Sequence, residues 1–363
     1  MTVTKSKRIF YFDALRALAI FCVIVIHIYC EIQSGILSEY GIIPSYKWIY
    51  AQIMGNSFRI GVDLFLMLSG ALSLGRDWNI KSFLGKRIPR IVAPFLFWGF
   101  ILSLILIGLS YFAGYHYIKS FDLYTILHFI YNAFTAQGAC FPPYWFFWMI
   151  LGTYLFMPIL NKWLLNANLD EVEYFLVIWL ITCLFEFTLK MDFPITLTYF
   201  TGPIGFVVAG YYLRHTERKL FNNPYFAVFL ILSTSILMLM FSWYFSTPDS
   251  VYNFNRYSLP TTIEAIGVFL LFKNYNKFGF ELNFIKNEKS WFRKLISLIA
   301  KNSYGIYLIH AAIISIILNS IPGFSNHINL FVVVMLITTV FVSLGIMEIL
   351  NKIPYVNAVI GSK

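Results

Sequence analysis

Ten long apolar runs, separated by shorter polar segments, divide the chain. A membrane-spanning helix needs about 20 predominantly apolar residues to cross roughly 30 Å of hydrocarbon. Runs of this kind predict transmembrane spans at about 10–30, 58–75, 91–113, 143–161, 173–189, 198–213, 225–245, 260–273, 297–318 and 328–350. The eighth run is also short enough to be a buried or re-entrant segment. The pattern therefore predicts an all-α, polytopic membrane protein, a bundle of ten transmembrane helices.

The lysines and arginines are concentrated in alternate loops, which predicts the orientation of the bundle. With the N-terminus inside, 20 of the 27 fall in inner loops and termini, five in outer loops and two within spans. A miscounted span would reverse the side of every later loop and remove this asymmetry. We therefore predict that both termini are cytoplasmic. No small-residue cleavage site follows the first span, so we expect it to be retained.

The composition agrees with a membrane protein. Of the 363 residues 59% are hydrophobic and only 12% are charged, against about a quarter charged in soluble domains. No change in composition marks a second domain, so we predict one domain over residues 1–363, in a multi-pass cell-membrane protein surrounded by lipids. The net charge of +10 is explained by the basic residues of the predicted inner loops, so we expect no nucleic-acid partner. The four cysteines lack metal-ligand spacing, which predicts no metal site; Cys30 and Cys140 are either free or joined in a disulfide.

Two ionisable residues, Arg16 and His27, lie inside the first apolar run. An arginine within a membrane costs roughly 3 kcal/mol or more, so such residues indicate a functional site. Their spacing places them on one helix face, roughly 16 Å apart along the axis. Asp13 shares that face, three residues before Arg16. The first helix is therefore predicted to contain a line of polar side chains.

Other titratable residues are predicted at the level of His27 in the outer half of the membrane. They are His310 in the ninth span, Asp63 in the second and Glu264 in the eighth. Together they could handle protons, with His27 as the base and an acid or the second histidine orienting it. The alternative is structural, because buried histidines and acids also satisfy one another between helices.

A basic cluster, Lys86, Arg87 and Arg90, precedes the third span in the second inner loop. Because arginine binds phosphate through two parallel hydrogen bonds, the cluster could hold a phosphate-bearing ligand at the inner surface. The alternative is an ordinary positive-inside loop that contacts anionic lipid head groups.

Common catalytic motifs do not occur in the sequence. It contains no GxSxG, Walker A loop, GxGxxG or HExxH motif. Ser69-Gly70 in the second span predicts close helix packing and not a serine nucleophile. The sequence has no internal repeat, which disfavours a transporter built from repeated halves.

The chain resembles the membrane acyltransferases of family 3, integral-membrane proteins that move acyl groups, mostly acetyl, onto cell-envelope carbohydrates. The resemblance extends from about residue 9 to 360. Six segments in order support it: FDALRALAIFCVIVIH with Arg16, ten residues and His27, GVDLFLMLSGAL, FLGKRIPRIVAPF, YWFFWMILGTYLFMPIL, SYGIYLIH and LNKIPYVNAVIG.

The resemblance implies an enzyme of the O-acetyltransferase kind, with essential Arg16 and His27. It implies that cytoplasmic acyl-coenzyme A is the donor substrate, with no permanently bound cofactor, and that the acceptor is a carbohydrate or lipid-linked sugar of the cell envelope. We expect His27 to act as general base and Arg16 to position the donor. The alternative is a secondary transporter or flippase for a lipid-linked sugar or small polar solute.

Overall fold

Helices make up nearly all of the structure, a computed structural model that describes residues 9–40, 46–136, 141–191, 202–246, 252–278, 287–320 and 328–362. Within these ranges there is no β-strand. In chain order the helices are α1 (Phe10–Tyr40), α2 (Tyr46–Asn56), α3 (Gly61–Ser73), α4 (Ile80–Ala113), α5 (Leu123–Thr135), α6 (Trp145–Asn166), α7 (Leu169–Thr182), α8 (Pro203–His215), α9 (Pro224–Phe245), α10 (Leu259–Asn274), α11 (Trp291–Ser320) and α12 (Ile328–Leu350). The predicted all-α class is confirmed.

Each predicted span overlaps a helix in the described part of the chain; residues 198–201 of the sixth lie outside the described residues. Among the described residues, six stretches are long and apolar enough to cross a membrane: Phe10–Glu31, Ile80–Ala113, Leu169–Leu189, Pro224–Phe245, Trp291–Ser320 and Leu330–Leu350. The number of crossings, ten, and the orientation of the termini stay predictions. Helix α10 is short, and most of its side chains are buried by its neighbours.

The basic cluster before the third span is helical and not a loop. Helix α4 begins at Ile80 and continues through Pro89 and Pro94. The Asn79 side chain caps it by accepting a hydrogen bond from the Lys81 backbone N–H, at 2.8 Å. An apolar run shows only the part of a helix that lies in hydrocarbon, because basic residues can continue the same helix beyond it. The predicted span 91–113 is thus the apolar part of a longer helix.

The middle of the bundle contains α1, α3 and α11, which hold half of the predicted site residues. Helix α1 packs against both α3 and α11, and α3 packs against α8. Asp13 of α1, Asp63 of α3 and His310 of α11 are all buried. These polar side chains therefore face other helices.

Two glycines allow α3 and α8 to approach each other closely. A Cβ atom on Gly70 would lie 1.8 Å from the Val207 carbonyl oxygen, and one on Gly210 would lie 1.9 Å from that of Met67. Side chains cannot occupy such spaces, so both positions need glycine. This confirms that Ser69-Gly70 is a helix-packing element.

We expect Gly70→Ala and Gly210→Ala each to destabilise the protein by about 1–3 kcal/mol, because the added methyl group meets backbone atoms that cannot rotate away. Thermal unfolding of the purified protein in detergent measures the effect. Gly152→Ala in α6 is the matched control, since nothing lies within 4 Å of its added Cβ atom. An equal melting temperature for Gly70→Ala and Gly152→Ala would contradict the prediction.

The cysteines within the described residues are unpaired. Cys22 and Cys183 are buried thiols, and Cys30 is an exposed one. Cys140, the other residue of the possible disulfide, lies outside the described residues.

Candidate functional site

Two histidines from different helices meet between α1 and α11. His310 Nε2 lies 3.3 Å from His27 Nδ1, and the ring centroids are 4.9 Å apart. His27 is half-buried, and His310 is completely buried. The structure therefore brings together two residues that are 283 positions apart in the sequence.

Backbone carbonyls determine which nitrogen of each histidine bears hydrogen. His27 Nδ1 lies 2.7 Å from the Val23 carbonyl oxygen, and His310 Nδ1 lies 2.7 Å from that of Tyr307. Because a carbonyl oxygen only accepts, Nδ1 must be the donor in both rings. The His27 Nδ1–H is then shared with the lone pair of His310 Nε2, and His27 Nε2 is left unprotonated. His27 Nε2 is the nitrogen that can accept a proton from a substrate.

Three arginines line one cavity toward the other end of α1. Arg16 of α1 and Arg87 and Arg90 of α4 all face this space of about 90 Å³. Arg16 forms an ion pair with Asp13, at 3.8 Å, and Arg87 donates a hydrogen bond to Ser73 Oγ, at 3.0 Å. The predicted polar line of α1 and two members of the predicted basic cluster thus meet at one place.

The same cavity extends toward the histidine pair. Tyr304 and Tyr307 of α11 line it together with the arginines. The Tyr304 hydroxyl donates to the Ile91 carbonyl oxygen, at 2.8 Å, and the Tyr307 hydroxyl donates to that of Pro143. The Tyr307 backbone carbonyl is the group that accepts from His310. One cavity therefore reaches from the arginines to the residue that supports His310.

The predicted acidic partners are not hydrogen-bonded to His27. Asp63 is completely buried, and neither of its carboxylate oxygens has a hydrogen-bond partner among the described residues. Glu264 accepts a hydrogen bond from Ser235 Oγ of α9, at 2.7 Å, and acts electrostatically on Cys22. Of the predicted partners, His310 is the one within hydrogen-bonding distance of His27.

Lys86 does not join the arginines at the cavity. Its side chain is exposed, and it is not among the cavity-lining residues. Lys86 lies four positions before Arg90 on the same helix, but only Arg87 and Arg90 line the cavity. A phosphate at the mouth of the cavity would therefore meet two arginines of α4 and not the lysine.

Sequence reasoning missed Arg256 and Tyr307. The Arg256 guanidinium lies 3.9 Å from the centroid of the Trp145 ring, and its charge acts on His27 and Asp63. Arg256 is one of only five basic residues on the outer side of the predicted topology, and this rarity could have marked it as a candidate site residue. Tyr307 lies three residues before His310, so helical spacing alone places it on the same face.

No group of three or more His, Cys, Asp or Glu residues that could hold a metal ion occurs in the described ranges. The arrangement instead offers one base, a neighbouring imidazole, and a cavity with guanidinium groups at one end.

Comparison with known proteins gives one match. A family profile described as an acyltransferase domain matches residues 9–348, nearly the whole chain. No curated protein and no solved structure matches the chain.

Proposed function

The chain belongs to the acyltransferase 3 family, and from this membership we propose that it transfers an acetyl group from cytoplasmic acetyl-coenzyme A to a hydroxyl of a cell-envelope carbohydrate or lipid-linked sugar. The family match together with several long apolar helices supports a multi-pass membrane acyltransferase. The donor, the acceptor and the roles of residues below are parts of the proposal.

The donor phosphates bind Arg87 and Arg90 at the inner surface, and Arg16 contacts the donor deeper in the bundle. Guanidinium groups bind phosphate oxygens through paired, charge-assisted hydrogen bonds. The cavity beyond them, about 90 Å³, is much smaller than the roughly 300–1,000 Å³ of pockets that enclose a drug-sized ligand. The nucleotide therefore stays at the surface. Only the thin pantetheine arm enters, and the lining side chains move to admit it.

His27 is the general base. Its Nε2 takes the proton of the acceptor hydroxyl while the hydroxyl oxygen attacks the thioester carbon. The new C–O bond forms, the C–S bond breaks, and the proton passes from His27 to the departing thiolate. During transfer the Val23 carbonyl oxygen and His310 Nε2 hold the His27 Nδ1–H and stabilise the imidazolium. His310 is thus a positioning residue.

The observation that supports the proposal most is the cavity between the arginines and Tyr307. A donor anchored at Arg16, Arg87 and Arg90 has before it a cavity that reaches Tyr307, whose backbone carbonyl accepts a hydrogen bond from His310. The proposed base, His27, contacts His310 beyond this end of the cavity.

The test uses purified protein in detergent with radiolabelled acetyl-coenzyme A and a crude envelope-glycan fraction. We expect release of coenzyme A and transfer of label to glycan. Protein that neither binds nor consumes the donor would refute the proposal. Movement of labelled sugar across liposomes without acyl transfer would favour the transporter.

We expect Arg87→Ala and Arg90→Ala each to raise the donor KM by roughly tenfold or more, because each removes a charge-assisted contact worth about 1.5–3 kcal/mol. The acceptor KM should change little. Lys86→Ala removes the same charge from the same helix at an exposed position that does not line the cavity, so it serves as the matched control. Equal effects of all three substitutions would mean that surface charge, and not the cavity, determines donor binding.

A further inference from the structure

Two arginines lie at the opposite end of the site from the cavity arginines. Arg59 precedes α3, and Arg256 precedes α10. Both side chains are half-buried, and the positive charge of Arg256 acts on Arg59. Only five basic residues lie on the outer side of the predicted topology, and these are two of them.

Arg59 is held by the backbone next to α1. Its Nε donates to the Gly55 carbonyl oxygen, at 2.6 Å. A Cβ atom on Gly55 would lie 2.7 Å from the Tyr29 ring and 2.9 Å from Asn253 Oδ1, so no side chain fits there. The Tyr29 hydroxyl donates to that same oxygen, at 3.3 Å. Arg59 therefore lies at the same level of the bundle as Tyr29, which is two residues after His27.

Arg256 reaches the same region from the segment before α10. Its guanidinium stacks on Trp145, the first residue of α6, at 3.9 Å. A cation that is bound only to an aromatic face keeps its N–H donors available. The charge of Arg256 acts on His27 and on Tyr307, which lines the cavity.

Neither guanidinium is neutralised within the described part of the chain. Neither arginine has a carboxylate within ion-pairing distance there, and among their guanidinium nitrogens only Arg59 Nε donates a hydrogen bond. Asp63 interacts with Arg256 electrostatically without forming an ion pair with it. Two half-buried positive charges repel each other, which raises the energy of the folded protein. A bound anion would offset this repulsion.

We propose that Arg59 and Arg256 bind a carboxylate or phosphate of the acceptor, so that the acceptor is an anionic saccharide. This inference rests on the proposed acyl transfer and specifies its acceptor class. The donor phosphates have their own arginines, of which Arg16 lies roughly 16 Å from His27 along α1. An anion held above His27 fixes the sugar so that a neighbouring hydroxyl reaches His27 Nε2.

The test compares charged saccharides with neutral counterparts. A tetramer of galacturonic acid and its methyl ester form one pair, and glucose 1-phosphate and glucose form the other. Binding to the purified protein in detergent is measured by calorimetry, and coenzyme A is titrated in parallel. We expect at least one charged probe to bind roughly tenfold or more tighter than its neutral counterpart.

Arg59→Gln and Arg256→Gln should each lower the affinity for that charged probe by roughly tenfold or more, while the affinity for coenzyme A stays unchanged. Lys119→Gln is the matched control, since it removes one outer charge at an exposed position. Arg256→Lys keeps the charge and should restore part of the affinity.

Charged probes that bind no better than neutral ones would overturn the inference, as would glutamine variants that match Lys119→Gln. Phosphatidylglycerol that displaces the charged probe at lower concentration than the free sugar would assign the arginines to lipid head groups and also overturn it. Charge-dependent binding without any acyl transfer would leave the anion site standing and refute the proposed function. Acyl transfer at equal rates to charged and neutral acceptors would overturn the anion site and leave the proposed function standing.

Discussion

Replacement of His27 with alanine is expected to lower acyl transfer by about a hundred- to ten-thousandfold, the range that a positioned general base contributes. The structure gives the reason: His27 Nδ1 is held as a donor by the Val23 carbonyl oxygen, so Nε2 is free to take the acceptor proton. The measurement is kcat/KM of the purified variant with radiolabelled acetyl-coenzyme A. Donor binding, measured separately by calorimetry, stays near the wild-type value because the arginines are intact.

His128→Ala is the matched control for His27→Ala. His128 lies on α5 with an exposed side chain, far from His310 along the chain and not hydrogen-bonded to it. The control should retain wild-type activity. Should a folded His27→Ala protein keep more than about a tenth of the wild-type rate, His27 is not the base.

Arg16→Ala is the second large effect. We expect a loss of roughly a hundredfold in kcat/KM, because the substitution removes a charge-assisted contact to the donor inside the low-dielectric part of the bundle. The loss should appear as weaker donor binding together with slower transfer. Arg16→Lys should recover only part of the lost kcat/KM, since lysine lacks the planar guanidinium that donates two parallel hydrogen bonds.

The ion pair between Arg16 and Asp13 complicates that experiment, because removing one partner leaves the other charge buried. Asp13→Asn with Arg16→Gln removes both charges and separates the two effects. If the double variant unfolds like wild type yet fails to bind donor, Arg16 acts on the donor. A double variant with restored activity would show that Arg16 merely neutralises Asp13.

Much of the site could be predicted from the first helix alone. The eleven-residue spacing of Arg16 and His27 places both side chains on one face, and the structure places them at the arginine and histidine ends of the site. The structure also places Arg87 and Arg90 at the cavity that Arg16 lines. The position of a side chain along a helix follows from its residue number, because a helix advances by about 1.5 Å per residue.

Lateral neighbours were harder to predict. Asp63, Glu264 and His310 were equal candidates to orient His27, since all three share its depth. The structure selects His310, because α11 packs directly against α1 at that level. Lys86 was expected to bind phosphate together with Arg87 and Arg90, but it does not line the cavity.

The sequence by itself determined the helical class and the acyltransferase family, and it predicted the membrane setting and the depth of each ionisable side chain. Only the tertiary structure decided which side chains touch: His27 with His310, Arg16 with the α4 cavity, and Arg256 with Trp145. The physical reason is that hydrophobic length and charge position a helix along the membrane normal. The rotation of a helix about its own axis and the choice of its neighbours depend on packing. Gly70 and Gly210, for example, allow α3 to pack closely against α8.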